Sequence, residues 1–100
     1  MAVQLRRYEI VSGELDAFVE WFPSVVAARQ RYGFKVLFAY ADRQNNEFVW
    51  AVSHDGDFDA VVEEYQTSPE RAAAFEGVPV RVTKAHVAMV EPVVVAEPSS

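Results

Sequence analysis

From Val3 to Val11 the chain is rich in strand formers, with Tyr, Ile and Val spread over both alternating sets of positions, and Ser12-Gly13 ends the run. This reads as a strand. Beyond Glu14 the period changes: Leu15, Phe18, Val19, Phe22, Val26, Arg29 and Tyr32 share one helical face, with the aliphatic stem of Arg29 at its end. Pro23 lies inside this pattern and has no N–H for the Val19 carbonyl, which predicts a kink or break near Trp21–Phe22. Gly33 follows as a C-terminal cap. Phe34 to Asp42 is a second strand, Arg43-Gln44-Asn45-Asn46 a turn, and Glu47 to His54 a third strand. Asp57 is placed to cap a helix whose stripe is Phe58, Val61, Val62 and Tyr65; Ser68-Pro69-Glu70 restarts a helix that Gly77 ends. Val80 to Val90 is the fourth strand.

The order β-α-β-β-α-β predicts an α+β, ferredoxin-like domain over residues 1–92, with a four-stranded antiparallel sheet. Right-handed crossovers place the helices on one face. Residues 93–100 are expected to form a flexible C-terminal tail. The other face should then alternate to polar if it meets water. It does not. Pairing strands two and three through a short loop puts Val36, Phe38, Tyr40, Val49 and Ala51 on one side. Leu37, Ala39, Ala41, Phe48, Trp50, Val52 and His54 fall on the other. Exposing either set leaves a patch of several hundred Å², more than soluble monomers usually carry. Burying ~600 Å² of apolar surface from each partner, at about 25 cal/mol per Å², favours association even after the ordering costs. The expectation is a homodimer, sheet against sheet, a dimeric α+β barrel. The competing cover is the tail itself, through Val93-Val94-Val95.

Composition narrows the function classes. The chain has 100 residues, a formal net charge of -6 and no cysteine. The acidic balance argues against nucleic acid and anionic membrane surfaces as partners. No apolar run approaches the roughly 20 residues a bilayer span requires. The expected location is cytoplasmic.

The segments Leu5-Arg6-Arg7-Tyr8-Glu9-Ile10 before Gly13-Glu14-Leu15, then Arg31-Tyr32-Gly33-Phe34, then Asn46-Glu47-Phe48-Val49-Trp50, then Tyr65 with Ser68-Pro69-Glu70, span most of positions 3–91. In this order and spacing the chain resembles the NIPSNAP family within the dimeric α+β barrel superfamily; Pro23 departs from that pattern. The resemblance implies a homodimer with its sheets face to face. In many superfamily relatives the ligand sits between sheet and helices of each subunit. NIPSNAP-like proteins are mostly of unassigned activity, whereas wider relatives include cofactor-independent monooxygenases, isomerases, cyclases and haem proteins.

Few residues carry candidate chemistry. In His54-Asp55-Gly56-Asp57 the two Asp read as turn and helix cap, and no second ligand stands at a metal-binding spacing, so no metal site is expected. His54 shares a face with Trp50 at a strand end. His86 lies in strand four; as a catalytic base it needs a second group. Arg6 and Tyr8, on one face of the strand that pairs with it, are the candidates. Against these roles stand ordinary ones: sheet histidines, an Arg6 ion pair and a packed Tyr8. Trp50, Tyr65 and Tyr40 are candidate ligand-binding aromatics, with core packing as the plainer role. No nucleotide loop, dinucleotide fingerprint or serine elbow occurs, so no cofactor is expected. Two functions lead, with a haem or metal protein using His54 or His86 as the remaining alternative. One is a cofactor-independent enzyme of cyclase, isomerase or monooxygenase type acting on an apolar or polyketide-like substrate. The other is a non-catalytic dimeric binding or scaffold protein. A cavity of roughly 300 Å³ or more favours ligand handling.

Overall fold

A computed structural model describes residues 2–94. Seven elements follow in order: β1 (Ala2–Ile10), α1 (Leu15–Gln30), β2 (Lys35–Asp42), β3 (Glu47–His54), α2 (Phe58–Gln66), α3 (Pro69–Phe75) and β4 (Val82–Val90). The strands form one antiparallel sheet in the order β2-β3-β1-β4. This is the ferredoxin-like order, with the second helix divided where Ser68-Pro69 interrupts it. Side-chain caps explain the division. The Asp57 carboxylate accepts from the Ala60 N–H, and the Ser68 hydroxyl oxygen accepts from the Arg71 N–H. Pro69 opens α3, where its missing N–H costs nothing. Asn46 takes a left-handed conformation in the β2–β3 turn, and its side chain donates to the Ile10 carbonyl at 2.6 Å.

Of the kink or break expected near Trp21–Phe22, the break is absent: α1 runs unbroken from Leu15 to Gln30 with Pro23 inside it. Pro23 points to solvent, so the carbonyl it leaves free lies on the wet side of the helix. On the inner side Phe18, Phe22 and Val25 are buried and hold the helix to the sheet. The core clusters there, around Ile10, Leu15, Phe18, Phe22, Phe34, Phe48, Trp50 and Tyr65.

Register decides which side chains meet. Tyr8 lies opposite Phe48 and Arg6 opposite Trp50, and these positions face the helices. A bulge between Val36 and Phe38 corrects the expected partition. It sets Val36 opposite Val52 on the helix side, while Phe38 and Tyr40 remain opposite Ala51 and Val49 on the open side. The extra residue, Leu37, is 45% exposed. The open side therefore carries Leu5, Phe38, Tyr40, Val49, Ala88 and Val90 around the sheltered Val3 and Ala51. Polar pairs lie beside them: the Arg7–Glu47 ion pair at 2.9 Å and the hydrogen bond between His86 and Glu9 at 2.9 Å. Val93 and Val94 are almost fully exposed and cover none of it; the rest of the expected tail lies outside the described residues.

Candidate functional site

Between the sheet and the helices lies a cavity of about 250 Å³. It is a little smaller than the threshold expected for ligand handling, yet large enough for a molecule of two fused rings. The sheet contributes Arg6 and Tyr8 from β1, Trp50 from β3 and Ala85 from β4. Helix α1 contributes Phe18, Trp21, Phe22 and Arg29; Tyr65 and Arg71 close it from α2 and α3. Both tryptophans of the chain line this space. Edge-to-face contacts fix the walls, with ring centroids 5.0 Å apart for Phe22 and Trp50 and 6.2 Å for Tyr8 and Trp50. The Trp21 indole N–H donates to the Ala74 carbonyl at 2.8 Å and ties α3 to α1.

The charged groups of the lining, Arg6, Arg29 and Arg71, are all cationic, and Tyr8, Tyr65 and Gln66 are its neutral polar members. Arg6 donates from Nε to the Tyr8 hydroxyl at 2.7 Å and from Nη1 to the Gln4 side-chain oxygen at 2.6 Å. Tyr8 accepts in this bond, so its own proton is available to an acceptor in the cavity. Arg29 is buried, 4% exposed, with its guanidinium carbon 4.7 to 5.3 Å from the ring centres of Tyr65, Trp50 and Phe34. Its Nε and Nη1 have no hydrogen-bond partner among the described residues, and neither has Trp50 Nε1. Burial, with the like charge of Arg6 behind it, pushes the Arg29 guanidinium below its ordinary pKa. A guanidinium starts so high that it stays charged at neutral pH. Burial also raises the Tyr65 hydroxyl, against the pull of Arg29. Arg71 lies over the Phe75 ring at 4.2 Å. Neither Arg6, Arg29 nor Arg71 makes an ion pair among the described residues.

The cavity thus gathers four of the seven residues singled out in the sequence: Arg6, Tyr8, Trp50 and Tyr65. The other three lie elsewhere. His86 is opposite Arg7, on the open face of the sheet, and bonds Glu9 across it, so the sheet separates it from Arg6 and Tyr8. His54 pins a turn. The Gly56 N–H donates to its Nδ1 and its Nε2 meets the Tyr32 carbonyl, each at 2.8 Å. With Nδ1 accepting from Gly56, Nε2 is the nitrogen that donates to the Tyr32 carbonyl, and both nitrogens are used. A Cβ at Gly33 or Gly56 would stand 3.0 or 3.1 Å from that ring. Tyr40 is 68% exposed on the open face, stacked on Phe38.

Arg29 is the residue that sequence reasoning missed. It occupies a core position of the α1 stripe, which suggested a packed aliphatic stem; an arginine head directed inward from such a position is the available signal. Among the described residues no group of three or more His, Asp or Glu is placed to hold a metal, and no helix is long and apolar enough to cross a membrane.

No protein-family model matches the chain, and no curated protein matches it. Solved structures do. An uncharacterised NIPSNAP-domain protein from Burkholderia xenovorans superposes with a TM-score of 0.78 at 16% identity, covering 98% of this chain and 100% of that one. A NIPSNAP-family protein of unknown function from Agrobacterium tumefaciens gives 0.80 at 12% identity, covering 92% and 87%. An antibiotic biosynthesis monooxygenase gives 0.67 at 11% identity, covering 93% and 99%. Identities this low establish architecture alone: the chain has the ferredoxin-like α+β fold found in NIPSNAP-domain proteins and in antibiotic biosynthesis monooxygenases.

Proposed function

We propose that this protein is a cytoplasmic homodimer that binds a small, planar, largely apolar molecule between its sheet and its helices. The observation that carries the reading is the cavity walled by Phe18, Trp21, Phe22, Trp50 and Tyr65, with Tyr8 and Arg6 as its polar end. An apolar pocket with a few convergent polar groups is what small-molecule recognition requires. Binding is favoured over catalysis by proton abstraction, because the lining contains no carboxylate and no imidazole to act as base. A second reading rests on the Arg6–Tyr8 bond. A phenol backed by a guanidinium is a strong donor toward a carbonyl or enolate oxygen. An enzyme of isomerase, cyclase or monooxygenase type would use it to hold a substrate that ionises without a protein base.

Dimerisation is supported by the open face, whose apolar middle and flanking polar pairs match the anatomy of an interface. Standard interfaces bury about 800 Å² per partner, an area a four-stranded sheet face can supply.

Calorimetric titration with two-ring aromatic compounds tests the binding reading. Saturable uptake of one molecule per chain is expected, and Ala85→Trp, which fills the cavity from β4, should abolish it. Absence of saturable uptake by wild type up to millimolar concentrations, for neutral and ionised compounds alike, would overturn it.

A further inference from the structure

We infer that the occupant of the cavity is an anion: a planar aromatic molecule bearing one carboxylate or enolate oxygen, which Arg29 receives. The inference rests on the binding reading above and adds the charge of the ligand. It starts from a buried cation without a counter-ion. Arg29 is 4% exposed, lines the cavity, and leaves Nε and Nη1 without hydrogen-bond partners among the described residues. The three surrounding rings offer their negative faces to it, but a ring accepts little from a directed N–H. A buried, unpaired ionic group is among the costlier features a small domain can keep, and it is retained where something binds to it.

The rest of the lining points the same way. The chain is acidic overall, with 15 Asp and Glu against 9 Lys and Arg. Yet three of its seven arginines, Arg6, Arg29 and Arg71, surround one cavity whose lining has no Asp or Glu. Low-dielectric walls lined by one sign of charge focus the field inside them. Such a field attracts an anion and repels a cation. The shape of the recognition follows: rings against Trp50 and Phe22, the negative oxygen at Arg29, and a second oxygen within the range of the Tyr8 hydroxyl. An arginine fork accepts two oxygens in one plane, which suits a carboxylate or a β-diketone enolate better than a lone alkoxide.

The test compares 2-naphthoate with 2-naphthamide by titration calorimetry at pH 7. The two have nearly the same shape and differ in charge. Wild type should bind the carboxylate about tenfold or more tightly, the scale of a charge-assisted hydrogen bond in a desolvated site. Arg29→Met should remove that preference, so that the two compounds bind with equal affinity; Arg29→Lys, which keeps the charge without the fork, should retain part of it. Equal affinities in wild type would overturn the inference while leaving the cavity as a binding site. Binding of neither compound would overturn the cavity reading, and the inference with it. A preference that survives in Arg29→Met would show that another group reads the charge. The wild-type comparison decides the matter even if a variant fails to fold.

Discussion

Replacing Arg29 by Met should make the unliganded protein more stable. The substitution keeps a long, unbranched side chain and removes a charge that is 96% withdrawn from solvent, the complement of its 4% exposure. Desolvating a guanidinium costs several kcal/mol even after relaxation. Each buried N–H without an acceptor adds about 1–3 kcal/mol, and Arg29 has two nitrogens in that state. Against this, wild type has cation–π contacts with three rings, each of about 0.5–2 kcal/mol. Methionine recovers part of that through sulfur–aromatic contacts of about 0.3–1.5 kcal/mol. The balance is a gain of about 2 kcal/mol, within the range seen when buried charges give way to apolar groups of similar volume. For a domain of this length that is a rise in Tm on the order of 10 °C. Differential scanning calorimetry at pH 7 and one fixed protein concentration measures it, since a dimer's Tm depends on concentration. Saturating 2-naphthoate should narrow the gap, because it stabilises wild type by mass action more than the variant, by about 1.4 kcal/mol for a tenfold difference in affinity. A drop of several degrees in the unliganded variant would refute the reasoning. It would mean that the aromatic box already satisfies the guanidinium.

Three further outcomes are expected. Light scattering after gel filtration should give twice the 11.2 kDa chain mass, and Val49→Lys, in the middle of the open sheet face, should give a monomer; a wild-type monomer at micromolar concentration would exclude the sheet-to-sheet pair. Gly33→Ala should destabilise more than Gly13→Ala by about 1–2 kcal/mol in urea titrations. Both positions have positive φ, but only at Gly33 would the new Cβ press on the His54 ring, at 3.0 Å, where Gly13 has open space; equal losses would remove His54 as the cause. The hydrogen bond from His86, the largest influence, holds the Glu9 carboxyl below its ordinary pKa. A depressed carboxylate contributes stability that is fully present above its unfolded value and is lost as pH falls through the folded one. Carbon-detected NMR titration should therefore show Glu9 moving up toward the ordinary value in His86→Ala, and an unmoved titration would assign the shift to Lys84 and Arg7.

Element order was legible because each signal is local. The period-two strands, the helical stripe from Leu15, the caps Asp57 and Ser68 and the turn at Asn46 need no knowledge of the fold to be seen. What was not legible depends on long-range register. His86 was grouped with Arg6 and Tyr8 because their strands pair, which they do. But Arg6 lies opposite Val87 and Tyr8 opposite Ala85, and that offset of one residue puts His86 on the other face. The bulge at Val36 to Phe38 likewise has no glycine or proline to announce it, being set by how β2 fits the twisted edge of the sheet. Pro23 failed as a helix breaker because tertiary packing of Phe18, Phe22 and Val25 outweighs one lost hydrogen bond. Arg29 was hidden for a related reason. An arginine in an apolar stripe usually sends its head to water, and only the aromatic cluster across the domain shows that this one does not.

The middle position of β1 has an evolutionary corollary. Hydrogen-bonded on both edges, it offers its even-numbered side chains Gln4, Arg6 and Tyr8 to one compartment and its odd-numbered ones, Leu5, Arg7 and Glu9, to another. Point changes can therefore adjust either role separately. Gaining or losing a single codon there would trade the two sets of side chains in one stroke, so homologous genes should drift freely in letters along this stretch while keeping its length.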